Sequence, residues 1–274
     1  MARIPHIIHY CWLGGSPMPR AAEECMASWQ RQMPEWEYKR WTEASLTQAL
    51  SPLKGREGCW LDYMPLYVRQ AYEAKKYAFV SDYVRLWALE QFGGLYMDVD
   101  FMVYRPFDEL MDRYSAFAGY EGSKRQPVMM GVIASEPHGA WVKDMLGTYE
   151  TREFRKADGS LDLTPNTSYF TDRLEAQGFV ADGVEKDVFI KKPTPALPKR
   201  REQEDKIFYL HIFPVQYFCP VLTTGEDVRT EETYCEHMGE SSWATNRSWK
   251  ARVLQWCGPR WRTRVIKLKR KLLD

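Results

Sequence analysis

Apolar residues between positions 78 and 101 change their spacing once, and the change predicts a helix followed by a strand. Four large side chains recur at near-helical spacing: Phe79, Tyr83, Leu86 and Trp87. This periodicity predicts a helix over about 79–92. Gly93 and Gly94 follow, and they supply the left-handed backbone at which helices commonly end. The apolar run 95–97 is then typical of a short buried strand.

The rest of the chain shows the same alternation of strands and helices. The patterns before the acidic turn predict strands at 4–13 and 36–41, a helix at 21–32 and a short helix after Thr42. The patterns after it predict an extension of the strand through 103–104, and further strands at 116–120, 128–134 and 207–213. The opening order of strand, loop, helix and strand is that of a nucleotide-binding α/β layer. We therefore predict one α/β domain over residues 1–246.

Two carboxylates follow the central predicted strand. Asp98 and Asp100 stand at its carboxyl end, which is where open α/β sheets bind their ligands. Because residues two apart on a strand point the same way, both side chains can face one divalent cation. Hard oxygen ligands of this kind suit Mn²⁺ or Mg²⁺. The alternative is an acidic surface turn without a ligand.

The predicted helix carries a second charged pair, Asp82 and Arg85. Residues three apart share one face of a helix, so the pair can form a simple exposed salt bridge. Alternatively, that face looks into the crevice beside the acidic turn. Asp82 then accepts hydrogen bonds from sugar or ribose hydroxyls, and Arg85 orients Asp82 or meets a phosphate.

Four blocks of sequence together resemble glycosyltransferase family 32, the DXD sugar-binding group of capsular-polysaccharide and mannosyltransferase-like enzymes. The blocks are residues 4–15, 72–85, 93–100 and 237–243. The combination Ser-Asp-x-x-Arg followed by Gly-Gly-x-Tyr-x-Asp-x-Asp is the specific part. The resemblance implies a GT-A type fold, in which helices flank a Rossmann-like central mixed sheet. It also implies a metal-dependent retaining transferase that uses a nucleotide-diphosphate-sugar donor.

The resemblance also implies roles for individual residues. The implied catalytic residues are Asp82, Arg85, Asp98 and Asp100. Donor binding falls to Trp12, Asp82, Arg85, Asp98, Asn166, Ser242 and Trp243, with Ser241 as an alternative to Ser242. The Mn²⁺ (or Mg²⁺) ligands are Asp100, Asp98 and His237. The sequence departs from the family at Met130 and Met238, where relatives often carry Asn and a second His.

Asn166 has a second interpretation. It lies in the stretch 158–167, which resembles the family's loop beside the acceptor site. There its amide can hydrogen-bond sugar hydroxyls. An Asx-type start of the following helix explains the same residue equally well.

The substrates implied by the resemblance are a nucleotide sugar and a carbohydrate acceptor. A UDP-sugar is favoured as donor and GDP-mannose is the other option. The acceptor is a glycan or a lipid-linked glycan, in surface polysaccharide synthesis such as that of a capsule.

The C-terminal stretch 247–274 differs in charge from the rest. It holds 10 Lys or Arg residues and one acidic residue in a chain whose net charge is +1, so the remainder is acidic. Its apolar residues follow a helical period, which predicts a basic amphipathic helical tail. Such a tail binds anionic membrane surfaces or packs on its own domain. No nucleic-acid-binding motif accompanies the charge, so we expect no nucleic-acid partner.

The cysteines and the N-terminus lead to an expected location. The 6 cysteines form no C-x-x-C pair, which favours a reducing compartment over a disulfide framework or a zinc site. We see neither a secretory signal nor an apolar run of the ~20 residues that span a bilayer. The expectation is a cytoplasmic protein, with peripheral contact to the inner face of the cell membrane through 247–274.

Three other functions use the same acidic pair. A phosphatase of the haloacid dehalogenase type also has Asp-x-Asp after a strand, but normally near the N-terminus and with Thr or Val where Met102 stands. A metal-dependent nucleotidyltransferase releases pyrophosphate. A nucleotide-sugar-binding protein that has lost turnover is the remaining alternative.

Overall fold

A computed structural model describes residues 3–54, 58–122, 126–191 and 206–239. Its strands and α-helices are numbered in chain order. They are β1 (Ile7–Cys11), α1 (Arg20–Gln32), β2 (Glu37–Trp41), α2 (Glu43–Lys54), α3 (Leu66–Glu73), α4 (Tyr77–Phe92), β3 (Gly94–Met97), β4 (Phe101–Val103), α5 (Asp108–Arg113), β5 (Ala116–Gly119), β6 (Val132–Ser135), α6 (Ala140–Gly147), α7 (Asn166–Glu175), β7 (Lys186–Lys191), β8 (Lys206–Phe213), α8 (Val215–Phe218) and β9 (Cys235–His237).

A mixed sheet forms the centre of the fold. Seven of the described strands lie in the order β2-β1-β3-β6-β5-β8-β7. β1 runs parallel to β2 and β3, β3 is antiparallel to β6, and β5 is parallel to β8. The predicted α/β architecture, a central mixed sheet flanked by helices, is therefore confirmed.

Helices cover both faces of the sheet because its central strands are apolar on both sides. In β3, Tyr96 packs into one buried cluster with residues of α4 and α6. Its neighbours Leu95 and Met97 pack into the other, with residues of α1 and α5. Alternate residues of a strand point to opposite faces. A strand buried on both faces reads as a continuous apolar run, as 95–97 does.

The helix, glycine and strand predicted around residue 93 are confirmed. Gly93 and Gly94 have φ of 63° and 110°, which only glycine adopts without strain. Gly94 also lies close to β1, because a Cβ added to it would stand 2.6 Å from the carbonyl oxygen of Ile7. The two glycines thus end α4 and let β3 enter the sheet directly beside β1.

The prediction that residues 103–104 extend the same strand is wrong. The chain turns at 98–100, where the amide of Phe101 donates to the carbonyl of Asp98 at 3.2 Å. It then forms β4, which pairs antiparallel with β9 in a separate two-stranded sheet. The indole N–H of Trp29 on α1 donates to the carbonyl of Phe101 at 2.7 Å and holds the new direction.

The predicted tail 247–274 lies outside the described residues, as do Ser241, Ser242 and Trp243 just before it. Within the described ranges, no helix combines the length and the apolar character needed to cross a membrane.

Candidate functional site

The carboxyl ends of β1 and β3 meet at one edge of the sheet. The two strands are parallel, with Ile8 opposite Leu95 and His9 opposite Tyr96. The residues that follow them, Trp12 after β1 and Asp98 after β3, therefore emerge at the same edge. Ligands of open α/β sheets bind at such edges.

Arg85 connects α4 to this edge. Its Nη2 lies 2.9 Å from Oδ1 of Asp82 and 3.5 Å from Oδ1 of Asp98. Its Nη1 donates to the carbonyl of Met130. Only 6% of the side chain is exposed, and the guanidinium packs over the Tyr96 ring at 4.6 Å. The exposed salt bridge considered above is therefore not what forms, since Arg85 is a buried link between two carboxylates.

Asp98 is held by its neighbours in the turn. The hydroxyl of Tyr96 donates to its Oδ1 at 2.8 Å, and its own amide donates to the carbonyl of Gly131 at 2.8 Å. A Cβ on Gly131 would lie 2.9 Å from Oδ2 of Asp98 and 2.8 Å from the Phe101 ring. The position next to Met130 thus requires a residue without a side chain.

Asp100 is joined by a residue from the far end of the described chain. Nε2 of His237 lies 3.1 Å from Oδ2 of Asp100, and the imidazole stacks on Phe101 at 4.8 Å. The amide of Met238 also donates to the carbonyl of Asp100 at 2.8 Å. The predicted closeness of His237 to the acidic turn is what the structure shows.

The side chains around the acidic turn provide only some of the ligands that a divalent cation needs. Carboxylates and an imidazole are ligands for Mn²⁺, and carboxylates for Mg²⁺. However, within the described ranges no three His, Cys, Asp or Glu side chains are grouped closely enough to hold a metal ion by themselves. Mg²⁺ is usually held by one or two carboxylates, with water and substrate phosphates completing its shell. The turn at Asp98 and Asp100 therefore fits a metal that arrives with a phosphorylated substrate.

Burial changes the proton affinity of these groups. Burial raises the pKa of Asp82 to about 6, against the opposing charge of Arg85. Burial also raises the pKa of Asp98, where Asp100 adds repulsion and Arg85 opposes it. For His237, burial lowers the pKa, but the hydrogen bond and charge of Asp100 outweigh it, so the pKa is raised. Shifts of this kind, next to specific charge partners, are typical of functional sites.

Asn166 lies beside Asp82. Its Nδ2 is 3.5 Å from the carbonyl oxygen of Asp82, and the residue is 4% exposed. It is the first residue of α7, which is preceded by Pro165, and among the described residues no side chain caps that helix start. The structure therefore brings Asn166 to the predicted site and does not show the Asx-type cap.

Trp12 lies at the same edge, in a loop that two glycines shape. Its indole N–H donates to the carbonyl of Ser16 at 2.7 Å, so the ring face is the part left for stacking on a base. Gly14 has φ of 85°, and a Cβ there would collide with the Tyr77 ring at 2.2 Å.

Two contributors were missed from the sequence. The carbonyl of Met130 binds Arg85, although this position was noted only as a departure from the family. The contact of Tyr96 with Asp98 could have been predicted, because Tyr96 stands two residues before Asp98 and its side chain points to the same side of the strand. A backbone carbonyl gives no sequence signal at all.

Comparison with known proteins supports the family resemblance. Residues 19–117 match the family model described as "Glycosyltransferase sugar-binding region containing DXD motif". The stretch contains Asp82, Arg85, Asp98 and Asp100, so the family-32-like resemblance is confirmed there.

Two fungal proteins are similar over part of the chain. Inositol phosphoceramide mannosyltransferase 1 of Schizosaccharomyces pombe is 27% identical over 116 residues, which are 41% of this chain and 33% of that protein. Glucan organizing enzyme 1 of Cryptococcus neoformans var. grubii is 32% identical over 85 residues, which are 28% of this chain and 23% of that protein. The matches thus span a third or less of either relative.

Among solved structures, the protein named "PaToxG Glycosyltransferase" is similar at low identity. The TM-score is 0.43 at 16% identity, and the match covers 63% of this chain and 69% of that chain.

Proposed function

We propose that this chain, which carries a family-32-like DXD sugar-binding region, is a metal-dependent glycosyltransferase. It moves a hexose from a nucleoside-diphosphate sugar to a glycan or glycolipid acceptor. The observation that supports this most is the buried link Asp82–Arg85–Asp98, with Asp100 in the same turn, at the ligand-binding edge of β3. A structural salt bridge has no need to be placed at that edge.

Each residue has a task in this proposal. Asp82 accepts hydrogen bonds from sugar or ribose hydroxyls, and Arg85 fixes the carboxylates of Asp82 and Asp98 relative to each other. Asp100 and Asp98 hold the divalent ion, with His237 as a further ligand or as the hydrogen-bond partner of Asp100. When bound, Mn²⁺ or Mg²⁺ supplies Lewis-acid stabilisation of the diphosphate leaving group.

The remaining donor contacts are those that the resemblance implies. Trp12 stacks its ring on the nucleotide base. Ser242 and Trp243, which follow β9 in sequence, contact the donor. The acceptor hydroxyl forms the new glycosidic bond as the anomeric C–O bond to the diphosphate breaks, and the hydroxyl proton passes to the departing diphosphate oxygen. Retention of configuration is the outcome implied by the resemblance.

The name of one relative helps to choose among the possible donor sugars and acceptors. The name of the Schizosaccharomyces pombe protein describes transfer of mannose to a lipid, inositol phosphoceramide. This favours including GDP-mannose beside UDP-hexoses as donors, and a lipid-linked acceptor. In that case the basic stretch 247–274 binds the anionic inner face of the cell membrane, in the cytoplasm. Flotation with anionic vesicles tests this, since a variant lacking 247–274 then stays in the soluble fraction.

The test of the proposed activity is nucleotide release from UDP- and GDP-sugars. Wild type and Asp100→Asn are compared with Mn²⁺, with and without EDTA. We expect one nucleoside diphosphate to be released in a metal-dependent manner, with a loss of at least a hundredfold in Asp100→Asn. Asp112→Asn on α5 is the matched control and retains activity, because it removes a carboxylate outside the site.

The alternatives give different products. Inorganic phosphate from a phosphomonoester identifies a phosphatase, and pyrophosphate identifies a nucleotidyltransferase. Nucleotide-sugar binding without any cleavage, in the presence of lipid and glycan acceptors, identifies a binding protein. Each of these results rejects the proposed transferase.

A further inference from the structure

A second arginine, Arg152, has no role in the function proposed above. The guanidinium of Arg152 lies over three tyrosine rings at 4.1, 4.6 and 4.9 Å: those of Tyr169, Tyr67 and Tyr149. Its Nη2 is 3.5 Å from Asp162, and 11% of the side chain is exposed. A planar guanidinium stacked on several rings has a fixed position and orientation. Arg152 is therefore held in place.

The first turn of α7 connects Arg152 to Asp82. Asn166 and Tyr169 are three residues apart, so their side chains share one face of the helix. Nδ2 of Asn166 approaches the Asp82 carbonyl at 3.5 Å, while the Tyr169 ring lies under Arg152. Burial raises the pKa of Asp82, and the charge of Arg152 is a smaller effect in the opposite direction, after that of Arg85. Asp82, Asn166 and Arg152 thus lie around one polar region.

Two polar atoms of this region have no hydrogen-bond partner among the described residues. They are Nη1 of Arg152, a donor, and Oδ1 of Asn166, an acceptor, and both are shielded from solvent. An unpaired buried polar group destabilises a protein, and those that persist in native structures call for an explanation such as a bound group. Hydroxyl groups can satisfy either atom, because a hydroxyl both donates and accepts hydrogen bonds.

Charge limits which hydroxyl-bearing ligand fits. The positive charge of Arg152 is already matched by the carboxylate of Asp162, which lies 3.5 Å from Nη2. No excess positive charge is left to compensate a carboxylate on the sugar, and burying an uncompensated charge is costly. An uncharged sugar ring is favoured over a uronic acid.

We propose that Arg152 is a specificity-determining residue of the donor pocket. Its Nη1, together with Oδ1 of Asn166, binds hydroxyls of an uncharged hexose whose other hydroxyls meet Asp82. This inference rests on the proposed function, because it assigns the sugar end of the same donor.

Calorimetry with Mn²⁺ separates the sugar from the nucleotide. The probes are UDP with UDP-glucose, and GDP with GDP-mannose, titrated into wild type and Arg152→Lys. Lysine keeps the charge but loses the planar set of N–H donors. We expect affinity for the nucleotide-hexose to fall about tenfold or more in the variant, the effect of one lost charged hydrogen bond. Affinity for the nucleoside diphosphate alone stays within about twofold.

Two further variants make the result specific. Arg173→Lys, on α7 with Asn166, changes an arginine that pairs with Asp144 instead, and it should bind both probes like wild type. Asn166→Ala leaves the tyrosine rings and Arg152 in place and should lose a similar factor for the nucleotide-hexose. It also tests the inference if Arg152→Lys does not fold.

Three results would overturn parts of this inference. Wild-type affinity for the hexose donor in both Arg152→Lys and Asn166→Ala overturns the role of this region. Equal wild-type affinity for the hexose donor and the uronate on the same nucleotide (UDP-glucuronate or GDP-mannuronate) overturns the preference for an uncharged sugar. If folded wild type binds none of the nucleotides, the proposed function itself fails, and this inference fails with it.

Discussion

The imidazole Nε2 of His237 lies 3.1 Å from Oδ2 of Asp100, although 137 residues separate the two in sequence. The contact exists because β9 pairs with β4, which places His237 opposite Phe101. It connects the acidic turn to the segment that carries Ser242 and Trp243. The position of Asp100 therefore depends on the pairing of β9 with β4.

Replacing His237 with Gln tests this connection. Hydrogen-bond partners of metal ligands typically change metal affinity about 10–100-fold when mutated, and the loss of a direct ligand costs at least as much. We expect Mn²⁺ affinity, measured by electron paramagnetic resonance in the presence of the nucleotide, to fall by at least tenfold. His138→Gln, which changes an exposed imidazole paired with Glu90, is the control. Unchanged Mn²⁺ affinity in His237→Gln shows that Asp100 needs no partner.

Arg85 is expected to stabilise the fold as well as the site. Arg85→Met leaves the buried Asp82 and the half-buried Asp98 without their cation, and breaking such a pair typically costs about 3–5 kcal/mol. Urea unfolding measures the loss. Arg20→Met removes an exposed pair with Glu24 and should change the stability by less than about 1 kcal/mol. A small effect of Arg85→Met means that solvent reaches the two carboxylates.

A methyl group on Gly131 is expected to disturb the acidic turn. The new Cβ would contact Oδ2 of Asp98 and the Phe101 ring at distances below 3.0 Å, so one of them must move. Donor cleavage should fall about tenfold or more, since misplaced catalytic groups lose rate steeply. Gly147→Ala, where the added Cβ meets no atom within 4 Å, should keep wild-type activity. Full activity of Gly131→Ala shows that the Asp98 position is not critical.

The protein is expected to become less stable as the pH decreases, because of His9. Burial lowers the pKa of His9 from 6.5 to about 4, and its Nδ1 accepts a hydrogen bond from Trp41 while Nε2 donates to the carbonyl of Gly93. The folded state thus keeps the ring neutral, whereas the unfolded chain takes up a proton below pH 6.5. The contribution of the neutral His9 ring to the free energy of unfolding is fully present above about pH 6.5. This contribution is lost as the pH falls towards 4, and about 2 kcal/mol of it is lost at pH 5.

Urea unfolding at pH 7.5 and pH 5.0 measures this loss. His9→Gln removes the titrating ring, so its stability should change about 2 kcal/mol less between the two pH values than that of wild type. An identical pH dependence in the two proteins contradicts a buried neutral His9.

The local pattern of the sequence determined the central part of the site. The period of 79–92, the two glycines and the apolar run 95–97 predict α4, its end and β3, and these agree with the structure within about two residues. The same pattern puts Asp82 and Arg85 on one face of α4 and Asp98 at the end of β3. Such features depend on backbone geometry and burial over a few residues, which sequence spacing reports directly.

Tertiary structure alone decided the contacts between distant segments. The pairing of β4 with β9, the contact of His237 with Asp100 and the carbonyl of Met130 on Arg85 all join residues far apart in sequence. Each results from how whole elements pack, which is set by the total burial of apolar surface and by hydrogen bonds between strands. A single sequence carries no local periodicity for such pairings. The candidate site residues on α4 and after β3 can therefore be predicted from sequence spacing, whereas the contacts that orient them cannot.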